Sequence, residues 1–222
     1  MESLQQKKYA LFVELKMKLK SKKLSLVIAS IIFFAGISEK LMEKADEFFK
    51  NHKYQKAREI YKTLLSSDKR EEAMYKLGLC YYKLQQFDSA GDTLFQFLNN
   101  YKNSRFFQKA LYYFIEINIK TKNKEFVNFI HNLEEKVTEI SVKYKILEYY
   151  EVVEKYDFAL SFLEKNFNFS IDFINKKVKY LGYLKKYEQA INFLKEAETK
   201  LPDNIEIKRE IFSMQLGHIK RR

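Results

Sequence analysis

The chain has 222 residues, of which 46% are apolar, and its 41 basic and 29 acidic side chains give a formal net charge of +12. This length allows one elongated domain plus a leader, and the 5 glycines and 1 proline suit nearly continuous helix joined by tight turns. The single cysteine, Cys80, excludes an internal disulfide framework and a cysteine-based zinc site, and its apolar neighbours predict a buried side chain.

The N-terminal part has the residue order of a secretory leader. Five lysines between residues 16 and 23 precede an uncharged run at 24–37, and Gly36-Ile37-Ser38 places small residues where a signal peptidase cleaves. We predict a signal peptide or membrane anchor at residues 1–38, with Met17 as a possible true start and cleavage after Ser38. Both forms imply an exported domain at 39–222, periplasmic or anchored to the inner membrane and facing the periplasm. The alternative is a buried core helix, because the run is shorter than the ~20 residues that a spanning helix needs.

A short sequence motif recurs after this leader. It consists of an aromatic residue, a small residue three positions later, and an apolar residue four positions after the small one. Its clear copies are Tyr54/Ala57/Tyr61, Phe87/Ala90/Leu94, Tyr156/Ala159/Leu163 and Tyr187/Ala190/Leu194, with a weaker copy at Asn123/Phe126/Ile130. The central residues are spaced by 33, 36, 33 and 31 positions. A period in the low thirties is typical of stacked helical hairpins, in which the small residue lets two helices approach closely.

Pairs of polar residues between the predicted helices are expected to form the hairpin turns. These pairs are Asn51-His52, Gln85-Gln86, Lys122-Asn123, Glu154-Lys155 and Lys185-Lys186. We expect looser packing at Phe126, because a large side chain stands where the other copies have alanine. Pro202 is expected to end the last helix of the array, and residues 203–219 to form an amphipathic helix that covers it.

Residues 38–204 resemble the tetratricopeptide repeat (TPR) family, and Leu77-Gly78 followed by Tyr81 and Ala90 is the clearest match. The resemblance implies an all-α, right-handed superhelical solenoid of about five degenerate TPR hairpins with a C-terminal capping helix. The stretch 94–112 is similar to a junction in bacterial envelope members, the Bam-complex assembly lipoprotein and the Tol–Pal coordinator. Lys102 stands where those members have proline.

The family likeness implies a non-catalytic adaptor or scaffold that binds a protein partner in a concave groove lined by the first helix of each hairpin. By phase, the lining residues of this aromatic, mostly apolar groove are Tyr75, Leu79, Tyr82, Leu111, Ile115, Asn118, Tyr144, Glu148, Lys179 and Tyr183. Two alternatives stay open: a structural subunit that assembles through its convex face or ends, and a cytosolic adaptor.

The sequence offers no catalytic, metal or cofactor motif. The histidines are scattered and the glycines stand alone, so neither a metal site nor a phosphate-binding loop is predicted. Much of the positive charge lies in the leader, and without a continuous basic stripe nucleic acid is not an expected partner. We therefore expect no enzyme activity, and membrane contact only through the N-terminal apolar segment.

Overall fold

A computed structural model describes residues 22–204, 206–211 and 213, with side chains described from Ala35 onward. The helices are α1 (Lys22–Lys50), α2 (Tyr54–Leu64), α3 (Arg70–Lys83), α4 (Phe87–Asn100), α5 (Phe107–Thr121), α6 (Val127–Leu133), α7 (Ile140–Val152), α8 (Tyr156–Asn166), α9 (Ile171–Tyr183) and α10 (Tyr187–Lys200). A 3₁₀ turn, Glu134–Lys136, follows α6. Two compact units, Met1–Thr93 and Leu94–Arg222, divide the chain, and α4 runs across the division.

Each odd-numbered helix, here called an A helix, ends in the same type of turn before its B helix. The residue in the turn is left-handed without being glycine: His52, Gln85, Lys122, Glu154 and Lys185 have φ between 51° and 61°. The next residue donates its N–H to the carbonyl five positions back, as from Lys53 to Phe48 and from Lys186 to Leu181. This is the Schellman arrangement, which satisfies carbonyls at a helix end. All five predicted turns are therefore confirmed.

The B helices confirm the prediction that the small residue of the recurring motif lies at a close contact between helices. Tyr54, Phe87, Tyr156 and Tyr187 are the first residues of α2, α4, α8 and α10. The small residues that follow three positions later are fully buried, and so are their apolar partners. Close helix approach at these alanines accounts for the period of the sequence.

The third hairpin departs from this pattern at Phe126. Its B helix, α6, has 7 residues, whereas α8 has 11. Phe126 precedes α6 and joins Phe95, Phe114 and Phe129 in a cluster with ring centroids 4.7–6.4 Å apart. The bulk that interrupts the repeat is thus absorbed by an aromatic cluster and a shortened helix.

The C-terminal end of the array is covered as the sequence predicts, within the described residues. Helix α10 ends at Lys200, two residues before Pro202, and residues 206–211 are again helical. Ile207 is buried against Ile174, Val178 and Leu194, with Ile211 packed beside them. Asn204 accepts a hydrogen bond from the Ile207 N–H, which caps this segment.

At the N-terminal end, the predicted boundary between residues 38 and 39 lies inside α1, which continues from Lys22 to Lys50. Ser38 is buried, and its hydroxyl donates to the Asp68 carboxylate at 2.6 Å. The possible start at Met17 lies outside the described residues. Of the described helices, none is both long enough and apolar enough for a membrane crossing.

Candidate partner-binding surface

Three predicted groove residues of α5 belong to the core instead. Leu111 and Ile115 are fully buried, and Asn118 is 3% exposed. The Asn118 side chain donates to the Phe114 carbonyl at 2.7 Å, one turn earlier in the same helix. The prediction for these three residues therefore needs correction, because a partner cannot reach them.

The predicted groove residues of the first unit lie on α3 and are largely covered. Tyr75 is 6% exposed, and Leu79 and Tyr82 are half-buried. The Tyr82 ring packs near Phe87 at the start of α4, with centroids 6.0 Å apart. This end of the predicted groove offers a partner little free aromatic surface.

The remaining predicted residues are exposed on two consecutive A helices of the second unit. Tyr144 and Glu148 stand on α7, and Lys179 and Tyr183 stand on α9. The Tyr144 side chain is 46% exposed and that of Tyr183 is 56% exposed. These four residues are the described part of the predicted site that is open to a partner, and we call them the α7/α9 surface.

Each exposed tyrosine of the α7/α9 surface is held by another ring. Tyr183 stacks on Tyr156 with centroids 4.2 Å apart and an interplanar angle of 9°. Tyr144 meets the edge of Phe167 at 4.9 Å. A ring held on one side and open on the other loses little conformational freedom on binding, which suits an interface anchor.

Glu151 joins α7 to α9 beside this surface. Its carboxylate accepts hydrogen bonds from Lys179 at 2.7 Å and from the buried Tyr180 hydroxyl at 2.5 Å. Burial opposes the charge of Glu151, but these hydrogen bonds outweigh it and lower the pKa of the carboxyl group. The two helices are thus tied by a charged pair in which the Glu151 side chain is 24% exposed and the Lys179 side chain is 44% exposed.

A second charged pair joins α5 to α7. Lys145 binds Glu116 at 2.7 Å and Glu148 at 2.8 Å, and its ammonium lies 5.6 Å from the Tyr112 ring centroid. Burial opposes the charge of Lys145, yet the two carboxylates outweigh it and raise the pKa of the ammonium. The predicted mostly apolar lining is therefore wrong for this face, where ion pairs alternate with tyrosine rings.

The sequence does carry a signal for these ion pairs between A helices, and it is separate from the recurring motif. Glu116 and Lys145 are 29 residues apart, and Glu151 and Lys179 are 28 apart. In the first unit, Asp46 of α1 likewise pairs with Lys76 of α3, 30 residues later, at 2.7 Å. An acid and a lysine separated by about one repeat thus mark neighbouring A helices.

Catalytic chemistry has no visible site in the part of the chain that the structure describes. Among these residues, no group of three or more histidine, cysteine or acidic side chains is arranged to hold a metal ion. Cys80 is fully buried, and burial raises the pKa of its thiol to about 12, so it is protonated at neutral pH.

Helical hairpins with buried alanines, repeated turns and a covered C-terminal end define a TPR-type protein. The family described as intraflagellar transport protein 56 matches residues 10–220, and the chain belongs to that family. No curated protein matches the chain.

The chain is similar to several solved structures at low sequence identity. A TPR protein from Parabacteroides merdae superimposes with a TM-score of 0.53 at 14% identity, over 81% of this chain and 72% of its own. MamA from Desulfovibrio magneticus gives 0.48 at 12% identity, over 80% and 93% of the two chains. A thermophilic TPR protein from Thermus thermophilus gives 0.42 at 12% identity, over 81% and 99%. The first of these likenesses shows the fold, and the all-α TPR prediction is confirmed.

Proposed function

We propose that the chain is a non-catalytic adaptor that binds a segment of a partner protein on the α7/α9 surface. The observation that carries the proposal is the pair of open tyrosine rings, Tyr144 and Tyr183, on two helices joined through Glu151. Tyrosines in such settings are common binding hot spots, and each contributes about 2 kcal/mol or more.

The charges of this surface favour a partner with paired polar groups beside an apolar anchor. Glu148 is 49% exposed and Lys179 is 44% exposed, so each can accept or donate further hydrogen bonds. Both already have an intramolecular partner, which holds them in position before binding. We infer that the apolar contacts supply most of the affinity and that the charged groups set the orientation.

Site-specific crosslinking in cells tests this proposal. A photoreactive phenylalanine is placed at position 144 or 183, and at the exposed Asn192 of α10 as the control on a B helix. We expect the same partner peptides from positions 144 and 183 and none of them from 192. Adducts from 192 alone would contradict the proposal and favour the structural-subunit alternative.

A binding measurement then gives the contribution of Tyr183 to the free energy of binding. Once the partner is known, Tyr183→Ser is expected to weaken binding about 30-fold, the equivalent of about 2 kcal/mol. The thermal transition should stay within a degree or two, because the ring is more than half exposed. Unchanged affinity with unchanged stability would refute the role of Tyr183.

Export to the cell envelope remains a prediction from the sequence and is independent of the α7/α9 surface. A periplasmic reporter fused after residue 60 reads it directly, since its activity requires translocation. Activity would support the exported location, and inactivity would support the cytosolic alternative.

A further inference from the structure

The four residues of the α7/α9 surface form one row with a fixed order. On α7, Glu148 follows Tyr144 by one helical turn, and both side chains are exposed. On α9, Tyr183 follows Lys179 in the same way. The two halves of the row meet through Glu151, one turn after Glu148, because its carboxylate binds Lys179 at 2.7 Å. The row therefore has a tyrosine ring at each end and two opposite charges between them.

The geometry of the helices sets the length of this row. Helices α7 and α9 are separated by one B helix and so run in the same direction along the array. At a rise of 1.5 Å per residue, Tyr144 and Tyr183 are about 16 Å apart along the helix axes. Packed helix axes lie about 8–10 Å apart, so the row crosses the surface diagonally over about 19 Å.

An extended segment fits a row of this length and composition. Alternate side chains of a strand point to the same face, and residues i and i+6 are about 20 Å apart. An amphipathic helix docks instead through an unbroken apolar stripe. Glu148 and Lys179 interrupt any such stripe on this surface, so the row favours an extended ligand over a helical one.

The two central charges select the chemistry of the ligand. The Glu148 side chain is 49% exposed and that of Lys179 is 44% exposed. Each is bonded to a group of its own chain, Glu148 to Lys145 and Lys179 to Glu151. A carboxylate accepts several hydrogen bonds and an ammonium group donates several, so each retains capacity for a partner group. Opposite charges on the surface call for opposite charges, in the reverse order, on the ligand.

We propose that the α7/α9 surface recognises an extended segment of a partner protein that carries four contact residues at alternate positions. Taken from the Tyr144 end, residues i, i+2, i+4 and i+6 of this segment are large apolar, basic, acidic and large apolar. A segment that runs in the opposite direction carries the same four groups in reverse. This inference rests on the proposed function and adds the chemistry of the ligand to it.

Affinity selection tests the spacing. Random dodecapeptides displayed on phage are selected on the immobilised full chain, and we expect enrichment of the alternating pattern in one of its two directions. Tyr144→Ser and Tyr183→Ser should each weaken the enriched peptides at least tenfold. The control is Phe169→Ser, since Phe169 is 40% exposed in the same unit but lies outside the row. It should change the affinity less than twofold.

A double-mutant cycle tests the charge order. Glu148→Gln should weaken an enriched peptide about threefold, as for an exposed ion pair. The same variant should have no effect on a peptide whose basic residue is replaced by glutamine. Lys179→Gln should behave in the same way toward the acidic residue of the peptide. Additive effects in both cycles would overturn the charge order.

The outcomes separate this inference from the proposed function. Enriched peptides that need both tyrosines but repeat their apolar residues at i, i+3 or i+4 and i+7 would overturn the extended ligand and leave the adaptor surface in place. Peptides that bind both serine variants at full strength, or a selection that enriches nothing, would also refute the inference. The crosslinks from positions 144 and 183 then decide the proposed function on their own.

Discussion

The left-handed turns allow a test in which the same substitution, lysine to glycine, is expected to raise the free energy of unfolding at one position of a hairpin and lower it at another. Lys185 has φ of 58° in the turn between α9 and α10, whereas Lys195 lies in the middle of α10. Both side chains are exposed. Lys185→Gly relieves a left-handed conformation that costs a non-glycine residue about 1–2 kcal/mol, offset by about 0.5–1 kcal/mol of added unfolded-state entropy. We expect a net gain of about 0.5–1 kcal/mol.

The same change at Lys195 should have the opposite effect. Glycine in a helix interior is less favourable than lysine by about 0.5–1 kcal/mol, and this position has no strain to relieve. Urea unfolding followed by circular dichroism measures both variants, and a chain of this size should shift its melting temperature by about 2–4 °C per kcal/mol. If both variants lose similar stability, the turn at Lys185 is not left-handed and the hairpin boundary is misplaced.

Three further predictions concern the buried polar groups and the packing of the second unit. Tyr150→Phe removes the hydroxyl that donates to the buried Glu134 carboxylate at 2.6 Å, so urea unfolding should show a loss of about 1–3 kcal/mol. Glu151→Gln should flatten the acid limb of a stability profile against pH. The lowered pKa of Glu151 means that its contribution is complete above the unfolded value of 4.5 and is lost as the pH falls through the folded value. Ala159→Leu inserts bulk at a fully buried helix contact and should cost about 1–3 kcal/mol in thermal unfolding.

Matched changes at exposed positions serve as controls for these three. Tyr144→Phe, Glu148→Gln and Ser161→Leu lie on the same two helices and should each stay within about 0.5 kcal/mol of the parent chain. A control that loses as much stability as its buried counterpart would contradict the burial assigned to that counterpart. An unchanged acid limb in Glu151→Gln would show that another carboxyl group dominates acid unfolding.

The fold could be predicted from the sequence because its signal is steric and periodic. The alanines at positions 57, 90, 159 and 190 are small enough to let two helices approach closely, and all four are buried. The polar turn pairs follow because a tight hairpin needs residues that accept exposure. The motif also marks Phe126 as a departure, but the looser packing expected there does not foretell the aromatic cluster and the 7-residue α6 that the structure has.

The candidate site was harder to predict because an A helix has two apolar faces. One face packs against its own B helix and the neighbouring hairpins, and the other was expected to line the groove. Sequence phase alone does not separate them within one or two positions, so Leu111 and Ile115 were assigned to the wrong face. Glu116 and Glu151 form ion pairs with lysines about 29 residues later in the chain, and the recurring motif contains no information about such pairs.

The N-terminal run shows a different limit, because its chemistry suits two environments. An uncharged helix after several lysines fits a leader, and it fits a core helix if another part of the chain covers it. Composition is the same in both cases, and the difference lies in what packs around Ile37 and Leu41. A contact measurement is therefore needed to choose between them.

The single buried thiol of Cys80 makes this chain convenient for spectroscopy. Because maleimides and spin labels react with thiolates that they can reach, a cysteine introduced on any exposed helix face would be labelled selectively without removing the native one. Pairs of such labels can report distances along the array in solution, in the presence and absence of a binding partner, on an otherwise unaltered sequence.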